Sequence, residues 1–372
     1  MGLALKRLSL ATQVADILRA EIGNGVWKDW LPSERELSRT LHISRNTCRG
    51  GLRLLQRETL IEPVKGRGIR LIQPVKHREN ARSNGHGHTV GVIMPHSLAL
   101  MPPHSGVVLD KLREELTMFG AQICTYDCPG GYKRNPATAL ERLVTHHRHD
   151  CWVLTRSTEA MQAWFMRRGI PCVISGSVYS GMKLPFADQD RRALCRHAAG
   201  HFIALGHRRI AFLNRRHRTA GDLESEEGFL EAVRASSHRD IDARLVYHDD
   251  TRDMAIKQLG TLWRGGSSPT ALLIANPYCY LSVASALAAK GLAVPADLSL
   301  ISRDDETFLT YLQPEPARYI LDPSRLARKL VSVIRPLLQH TTANRENGKI
   351  LSRFEAGGTC RAIESRGKPA GL

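Results

Sequence analysis

The sequence lacks several features that whole classes of protein require. Its apolar runs stay well short of the roughly 20 residues that a membrane-spanning helix needs. No signal peptide is visible before the first predicted helix, so we expect a cytoplasmic protein. No set of nucleophile, base and orienting group typical of a catalytic site stands out, and no glycine-rich string matches a phosphate-binding loop. We therefore expect neither an enzyme nor a bound cofactor.

Metal-binding and disulfide signatures are equally scarce. The eight cysteines are scattered without a CxxC pair, and many sit in apolar runs such as Pro-Cys-Val-Ile at 171–174. They resemble small core residues of a protein from a reducing compartment. His86 and His88 lie in a polar stretch, and the run His-His-Arg-His-Asp-Cys at 146–151 lies at a predicted helix end, where side chains diverge. We expect no metal site.

Negative charge is in short supply. The chain has 36 Asp and Glu residues against 53 Lys and Arg residues, which gives a net charge of +17 at pH 7 and a pI near 9.9. The first 88 residues hold 16 of the basic and 8 of the acidic residues, a denser excess than in the rest of the chain. This balance favours a polyanionic partner over a neutral one.

The stretch 31–49, Leu-Pro-Ser-Glu-Arg-Glu-Leu-Ser-Arg-Thr-Leu-His-Ile-Ser-Arg-Asn-Thr-Cys-Arg, predicts two short helices joined by a tight turn. Ser33 begins a capping box for the first helix, and Ser44 can cap the second. The apolar stripe of the second helix is Cys48, Leu52 and Leu55. Its opposite face carries Arg45, Asn46, Arg49 and Arg53. This pattern is typical of a helix-turn-helix whose second helix reads DNA.

The flanking segments complete a winged helix. Residues 9–22 predict an amphipathic helix that packs under the other two. The β-prone runs 60–64 and 69–72 flank Lys-Gly-Arg-Gly at 65–68, which predicts a hairpin with a basic tip placed to reach a groove or phosphates. Gly50 and Gly51 each cost about 1 kcal/mol in a helix interior. We therefore expect the recognition helix to be weakly stable until DNA binding orders it.

Four motifs in this region carry a family resemblance. Leu-Pro-Ser-Glu-Arg-Glu-Leu, Ser-Arg-Asn-Thr-Cys-Arg, Leu-Ile-Glu and Gly-Arg-Gly follow one another across roughly 9–73, and this order resembles the DNA-binding domain of the GntR family of bacterial regulators. The resemblance implies that Arg45 and Arg49 read bases, while Arg35 and the hairpin tip anchor phosphates. The residue types alone do not separate the two roles, because arginine suits guanine and phosphate alike. The predicted DNA-binding residues are Arg35, Ser44, Arg45, Asn46, Thr47, Arg49, Lys65, Gly66 and Arg67.

The rest of the chain has a different pattern of polar and apolar residues. Residues 74–88 are polar without an apolar period, which predicts a linker between a winged-helix domain at 1–73 and a second domain at 89–372. Two successive runs of alternating strands and helices then predict an α/β fold with two doubly wound parallel subdomains. We assign these subdomains to about 89–187 plus 305–322 and to about 188–304 plus 323–372. Ligands of such folds bind at the carboxyl ends of the strands, here in the cleft between the subdomains.

The second domain carries its own resemblance. Ala-Leu-Gly-His-Arg-Arg-Ile-Ala-Phe at 204–212, Pro-Thr-Ala-Leu-Leu-Ile-Ala-Asn at 269–276 and Gly-Leu-Ala-Val-Pro-Ala-Asp-Leu-Ser-Leu-Ile at 291–301 resemble the effector-binding domain of the LacI/GalR family. That domain is itself similar to periplasmic sugar-binding proteins. The resemblance implies that Asn276 and Asp304 contact ligand hydroxyls.

Other ligand-binding candidates follow from position. Ser225 stands where the LacI/GalR family has an arginine, and Pro277 stands where it has an aspartate. Arg156 and His248 directly follow predicted strands and are pocket candidates. The predicted ligand-binding residues are therefore Asn276, Asp304, Arg156, Ser225 and His248.

The two resemblances together imply a sequence-specific DNA-binding transcriptional regulator, a repressor, controlled by a sugar or a related metabolite. We expect a homodimer on a palindromic operator, because a two-fold protein matches a two-fold site in double-stranded DNA. Two other classes stay open. A solute-binding protein of a transport system is opposed by the winged helix and the missing signal peptide, and an enzyme using the α/β cleft is opposed by the missing catalytic set.

Overall fold

A computed structural model describes residues 10–23, 26–27, 29–41, 43–58, 60–64, 67–72, 87–263, 268–341 and 348–363. The chain divides into two compact units, Met1–His86 and Gly87–Leu372. Each unit buries its own apolar core. Within the described ranges, no helix is both long and apolar enough to cross a membrane.

The first unit contains the three predicted helices. These are α1 (Leu10–Gly23), α2 (Glu34–Thr40) and α3 (Arg45–Arg57). Both predicted caps form: the Ser33 hydroxyl accepts from the Glu36 amide at 3.3 Å, and the Ser44 hydroxyl accepts from the Thr47 amide at 3.1 Å. These bonds satisfy first-turn amides that would otherwise lack a partner, so they determine where α2 and α3 begin.

A small antiparallel sheet packs with these helices. Its strands are β1 (Trp30–Leu31), β2 (Ile61–Val64) and β3 (Gly68–Leu71), in the order β1-β3-β2. The predicted hairpin corresponds to β2 and β3, whereas no strand was predicted at the two-residue β1. Lys65 and Gly66 of the predicted hairpin tip lie outside the described residues, and Arg67 is exposed.

The two glycines of α3 have a packing role that helix propensity alone does not reveal. Helix α3 runs without a break from Arg45 to Arg57, and α1 crosses it at Gly50 and Gly51. A Cβ on Gly51 would lie 2.6 Å from Cγ1 of Val14, and a Cβ on Gly50 would lie 2.9 Å from Cβ of Ala11. The glycines therefore permit α1 and α3 to approach closely, and this contact holds α3 against the core.

The second unit alternates strands and helices along its whole length. Its strands are β4 (Thr89–Met94), β5 (Gln122–Asp127), β6 (Cys151–Thr155), β7 (Cys172–Ser175), β8 (Phe186–Gln189), β9 (Arg209–Arg215), β10 (Asp242–His248), β11 (Ala271–Ile274), β12 (Ser299–Ser302), β13 (Ala317–Ile320), β14 (Lys349–Ile350) and β15 (Arg353–Glu355). Its helices are α4 (Pro103–Met118), α5 (Ala137–His146), α6 (Glu159–Arg168), α7 (Arg191–Ala204), α8 (Ala220–Ala235), α9 (Arg252–Trp263), α10 (Pro277–Ala289) and α11 (Pro323–Leu338).

These elements form two three-layered subdomains. The first sheet has the order β14-β8-β7-β6-β4-β5, and the second has the order β10-β9-β11-β12-β13-β15. Apolar residues of α4 and α11 cover one face of the first sheet, and α5 and α6 cover the other. Helices α7 and α8 cover one face of the second sheet, and α9 and α10 cover the other. The predicted fold class, a winged helix followed by two doubly wound α/β subdomains, is confirmed.

The C-terminal segments are divided between the subdomains differently from our prediction. Strand β13, predicted in the first subdomain, pairs with β12 in the second sheet. Helix α11, predicted in the second subdomain, buries the stripe of Leu330, Ile334 and Leu338 in the core of the first. Strand β14 returns to the first sheet beside β8, and β15 pairs antiparallel with β13 in the second. Long-range burial of these faces decides the division, and the chain consequently crosses between the subdomains three times.

The glycine contact gives a stability prediction. Gly51→Ala adds helix propensity but places a methyl group against Val14, and overpacking of this kind costs about 1–3 kcal/mol. We expect a lower melting temperature for the N-terminal unit of the full-length protein, measured by differential scanning calorimetry. The matched control is Gly200→Ala in α7, where no heavy atom lies within 4 Å of the added Cβ and about 1 kcal/mol of stabilisation is expected. A rise for Gly51→Ala comparable to that of the control would contradict the packing role.

Candidate nucleic-acid interface and ligand cleft

Helix α3 separates a buried face from a basic one. Cys48, Leu52 and Leu55 are buried in the core of the first unit. Arg45, Asn46, Arg49 and Arg53 are exposed. Arg35 on α2 is also exposed. Helix α3 thus has an exposed basic face of the kind that enters the major groove. Base contacts by these residues stay a prediction.

Three of the predicted DNA-binding residues also have partners within the protein. Besides capping α3, the Ser44 hydroxyl lies 2.8 Å from Oγ1 of Thr47, so both hydroxyls organise the first turn of the helix. Arg49 donates from Nε to Oε2 of Glu34 at 2.7 Å, which joins α3 to the first residue of α2. Both side chains of this pair remain substantially exposed, so the Arg49 guanidinium stays accessible from solvent.

The second unit contains a large cleft at the carboxyl ends of the strands of both sheets. Its volume is about 790 Å³, within the range of small-molecule binding sites. Polar lining residues come from the loops that follow β6, β9, β10, β11 and β12, as the doubly wound topology dictates. The charged lining residues include Arg156, Asp188, Arg191, Arg215, Asp222, Asp250, Arg303 and Asp304.

Three of the five predicted ligand residues line this cleft. Asn276 caps α10 through its oxygen, which accepts from the Tyr278 amide at 2.9 Å, and its amide nitrogen donates to Asp250 at 3.2 Å. Asp304 accepts from Arg191 and from Arg303, each at 2.9 Å. Burial opposes ionisation of Asp304, but the charges of Arg191 and Arg303 outweigh it and lower the pKa to about 2. Arg156, the third residue, is exposed to the cleft.

The other two predicted ligand residues lie behind the cleft wall. Ser225 is fully buried, because it lies within α8, which begins at Ala220, and its hydroxyl is inside the helix packing. Its hydroxyl donates to the Gly221 carbonyl at 2.8 Å. His248 is also fully buried, and its Nδ1 accepts from the Asp250 amide at 3.0 Å. Burial lowers the pKa of this histidine, so its ring is neutral at pH 7. Neither residue lines the cleft.

Sequence reasoning missed Arg303. Its guanidinium donates to Asp222 at 2.8 Å, to Ser225 at 3.1 Å and to Asp304 at 2.9 Å. Only 3% of its side chain is exposed. An arginine therefore does stand beside position 225, although it comes from the end of β12 and not from α8. The available signal was its place in the sequence, next to Asp304.

One group of residues has the composition of a metal site. Ligand atoms of His248, Asp250 and Cys279 lie within 4.8 Å of one another. Burial raises the pKa of the Cys279 thiol to about 12, which disfavours the thiolate that a metal binds. The Arg215 guanidinium also lies 3.2 Å from the Asp250 carboxylate and already supplies a positive charge there. The local chemistry therefore favours a hydrogen-bonded cluster over a metal centre.

The lowered pKa of Asp304 leads to a prediction about acid stability. A carboxylate with a lowered pKa stabilises the fold above its unfolded pKa near 3.8 and loses that contribution as the pH falls toward its folded value. The contribution lost is about 2 kcal/mol. We expect the difference in unfolding free energy between wild type and Asp304→Asn, measured by urea denaturation, to shrink as the pH falls from 5 to 3. Asp253→Asn, at a highly exposed side chain, is the control and should show no such trend. A difference that stays constant for Asp304→Asn would refute this account.

Comparisons with known families agree with this geometry. Residues 10–71 match the family described as bacterial regulatory proteins, gntR family, and residues 199–360 match the periplasmic binding protein-like domain. The HTH-type transcriptional regulator AglR of Rhizobium meliloti (strain 1021) is 25% identical over 261 residues, which cover 68% of this chain and 72% of that protein. The arabinose metabolism transcriptional repressor of Geobacillus stearothermophilus is 21% identical over 295 residues, 75% of this chain and 77% of that protein.

Solved structures share the fold of the second unit. The crystal structure of a LacI family transcriptional regulator from Enterococcus faecium, with bound ribose, superposes with a TM-score of 0.59 at 18% identity and covers 74% of this chain and 100% of that one. The relatives are thus transcriptional regulators, in agreement with the two resemblances found in the sequence. This chain joins a GntR-type helix-turn-helix domain at its N-terminus to a periplasmic-binding-protein-like domain of the LacI type.

Proposed function

We propose that the protein is a transcriptional repressor that binds a palindromic DNA operator as a homodimer and responds to a small ligand in the cleft of its second unit. The observation that carries this proposal is the exposed basic face of α3, whose opposite face is buried in the core of the first unit. The same chain contains a cleft of ligand size. A regulator of this kind requires no catalytic activity. It acts in the cytoplasm, where bacterial DNA is located.

The coupling between ligand and DNA follows from thermodynamics. A ligand in the cleft contacts both subdomains and therefore binds one of their relative arrangements more tightly than the other. If the two arrangements hold the winged domains of the dimer at different spacings, the ligand changes the affinity for an operator with fixed half-site separation. The charged and amide side chains among the lining residues suit a sugar or a related metabolite, and a repressor of arabinose metabolism is among the relatives.

The two rival classes differ from this proposal in a measurable way. A solute-binding protein would bind a ligand in the cleft and ignore DNA, and an enzyme would convert the ligand. Binding of the full-length protein to DNA upstream of its own gene, measured by fluorescence anisotropy at several salt concentrations, separates these classes. A regulator prefers that DNA over random duplex at every salt concentration, and the absence of a preference would rule out the regulator.

The basic face of α3 generates a mutational prediction. Arg45→Ala should weaken operator binding by about 1–3 kcal/mol and leave binding to random duplex nearly unchanged, because a lost base contact costs only the specific complex. Lys65→Ala, at the predicted hairpin tip, should weaken binding to all DNA alike, because it removes a phosphate contact. Arg142→Ala on α5 of the second unit is the control and should change neither affinity. Equal losses on operator and random duplex for Arg45→Ala would contradict the assigned base contact.

A further inference from the structure

Three carboxylates of the cleft, those of Asp222, Asp250 and Asp304, are already engaged by arginines of the protein. Asp304 is bound by Arg191 and Arg303, as described above. Asp222 is bound by Arg303 at 2.8 Å, and its second oxygen caps α8 through Thr219. Asp250 forms an ion pair with Arg215 at 3.2 Å and accepts from Asn276. A ligand that enters the cleft therefore meets three carboxylates that already accept from groups of the protein.

Arg156 is the exception to this pairing. Among the described residues, no carboxylate forms an ion pair or hydrogen bond with its side chain, whereas Arg191, Arg215 and Arg303 each have at least one such partner. Removal from water and the positive charge of nearby Arg215 lower the pKa of Arg156, although an arginine remains charged at pH 7. The cleft thus holds one guanidinium that no carboxylate of the described residues contacts directly, although the charges of Asp250 and Asp222 act on it from a greater distance.

The backbone at Arg156 is also unusual. Its φ is 48°, in the left-handed region that a residue with a Cβ enters only at a cost in free energy. Strain of this kind persists where the surroundings over-determine a conformation, and it is concentrated at ligand-binding positions. Here it turns the chain sharply after β6, and the Arg156 side chain lines both the cleft and an adjoining pocket of about 590 Å³.

The adjoining pocket has a positive lining. It contains Arg156 and Arg215 together with the segment Arg216-His217-Arg218 that follows β9. Its carboxylates are Glu159 and Asp250, and Asp250 is held by Arg215 as described. Of the cations, Arg218 is paired with Glu226 at 3.1 Å. The excess of positive charge therefore lies at the edge of the cleft, next to Arg156.

We propose that Arg156 and Arg215 together bind an anionic group of the cleft ligand, a phosphate ester or a carboxylate on a sugar-sized molecule. This proposal rests on the ligand-binding cleft of the proposed function and defines the chemical class of its ligand. Arginine binds such groups through two parallel N–H donors, and the low polarity of a cleft strengthens the contact.

The positions of the two arginines add a mechanism. Arg156 follows β6 of the first subdomain, and Arg215 ends β9 of the second. Asp250 offsets part of the charge of Arg215, but at Arg156 the effect of Arg215 is the larger of the two. Without an anion, the remaining repulsion between the two arginines opposes closure. An anion between them reverses the sign of that interaction, so it selects the arrangement in which the two subdomains lie close together.

The test uses the full-length protein and inorganic phosphate as the first probe. Melting temperature is measured in phosphate and in chloride of equal ionic strength, for wild type, Arg156→Gln and the matched control Arg142→Gln. We expect phosphate to raise the melting temperature of wild type and of the control by more than it raises that of Arg156→Gln. Calorimetric titration should give a phosphate dissociation constant at least tenfold larger for Arg156→Gln than for wild type. Arg156→Lys keeps the charge but loses the two parallel donors, so its phosphate dissociation constant should lie between those of wild type and Arg156→Gln. Such an intermediate value would show that the site remains folded after substitution.

The second set of probes separates the two anion chemistries. Glucose 6-phosphate and glucuronate are compared with glucose under the same conditions. A preference for either anion over glucose that is lost in Arg156→Gln supports the proposal and identifies the group. Equal shifts for all three sugars, an anion preference that Arg156→Gln retains, or no response to any of the probes would overturn it. Operator binding by the unliganded wild type is measured on the same preparation, so a protein that binds DNA but ignores anions refutes only this proposal.

Discussion

The burial of Arg303 is the constraint on which the cleft depends. A guanidinium with 3% of its side chain exposed is tolerated only if carboxylates compensate its charge, and Asp222 and Asp304 do so from two different elements. Removing one partner from such an arrangement typically costs about 3–5 kcal/mol. The requirement positions the start of α8 relative to the end of β12, and it shapes the wall of the second subdomain.

This requirement also changes how the cleft recognises a ligand. In a cleft with free carboxylates, sugar hydroxyls would donate to them directly. Here Asp222, Asp250 and Asp304 pair with the protein's own arginines, and Asn276 uses its oxygen to cap a helix. Arg156 is the cleft arginine that no described carboxylate contacts directly. A ligand with an anionic group supplies the strong acceptor that this guanidinium lacks.

Local signals in the sequence predicted the parts of the fold that depend on neighbouring residues. Ser33 and Ser44 mark helix starts because a cap forms within three residues, and the apolar runs of β4, β6 and β11 mark buried parallel strands. Local signals could not assign β13 and α11, because their subdomains are decided by partners far along the chain. Ser225 was predicted in the cleft from its position in the resemblance to the LacI/GalR family. The capping box of Thr219 with Asp222 starts α8 at Ala220, so Ser225 lies inside the helix and is buried. Helix propensity predicted that Gly50 and Gly51 weaken α3. In the structure these two glycines are the surface that contacts α1, and the propensities of α3 alone hold no information about that contact.

The three crossings of the chain have a mechanical consequence. Chain segments pass between the subdomains after β8, before α11 and after β14, all within one unit. Two bodies joined by one tether can slide, twist and separate, whereas three connections largely suppress sliding and separation and leave rotation about a common axis. A ligand in the cleft therefore acts mainly on one motion, the rotation of one subdomain relative to the other. The free energy of ligand binding then changes the angle between the subdomains.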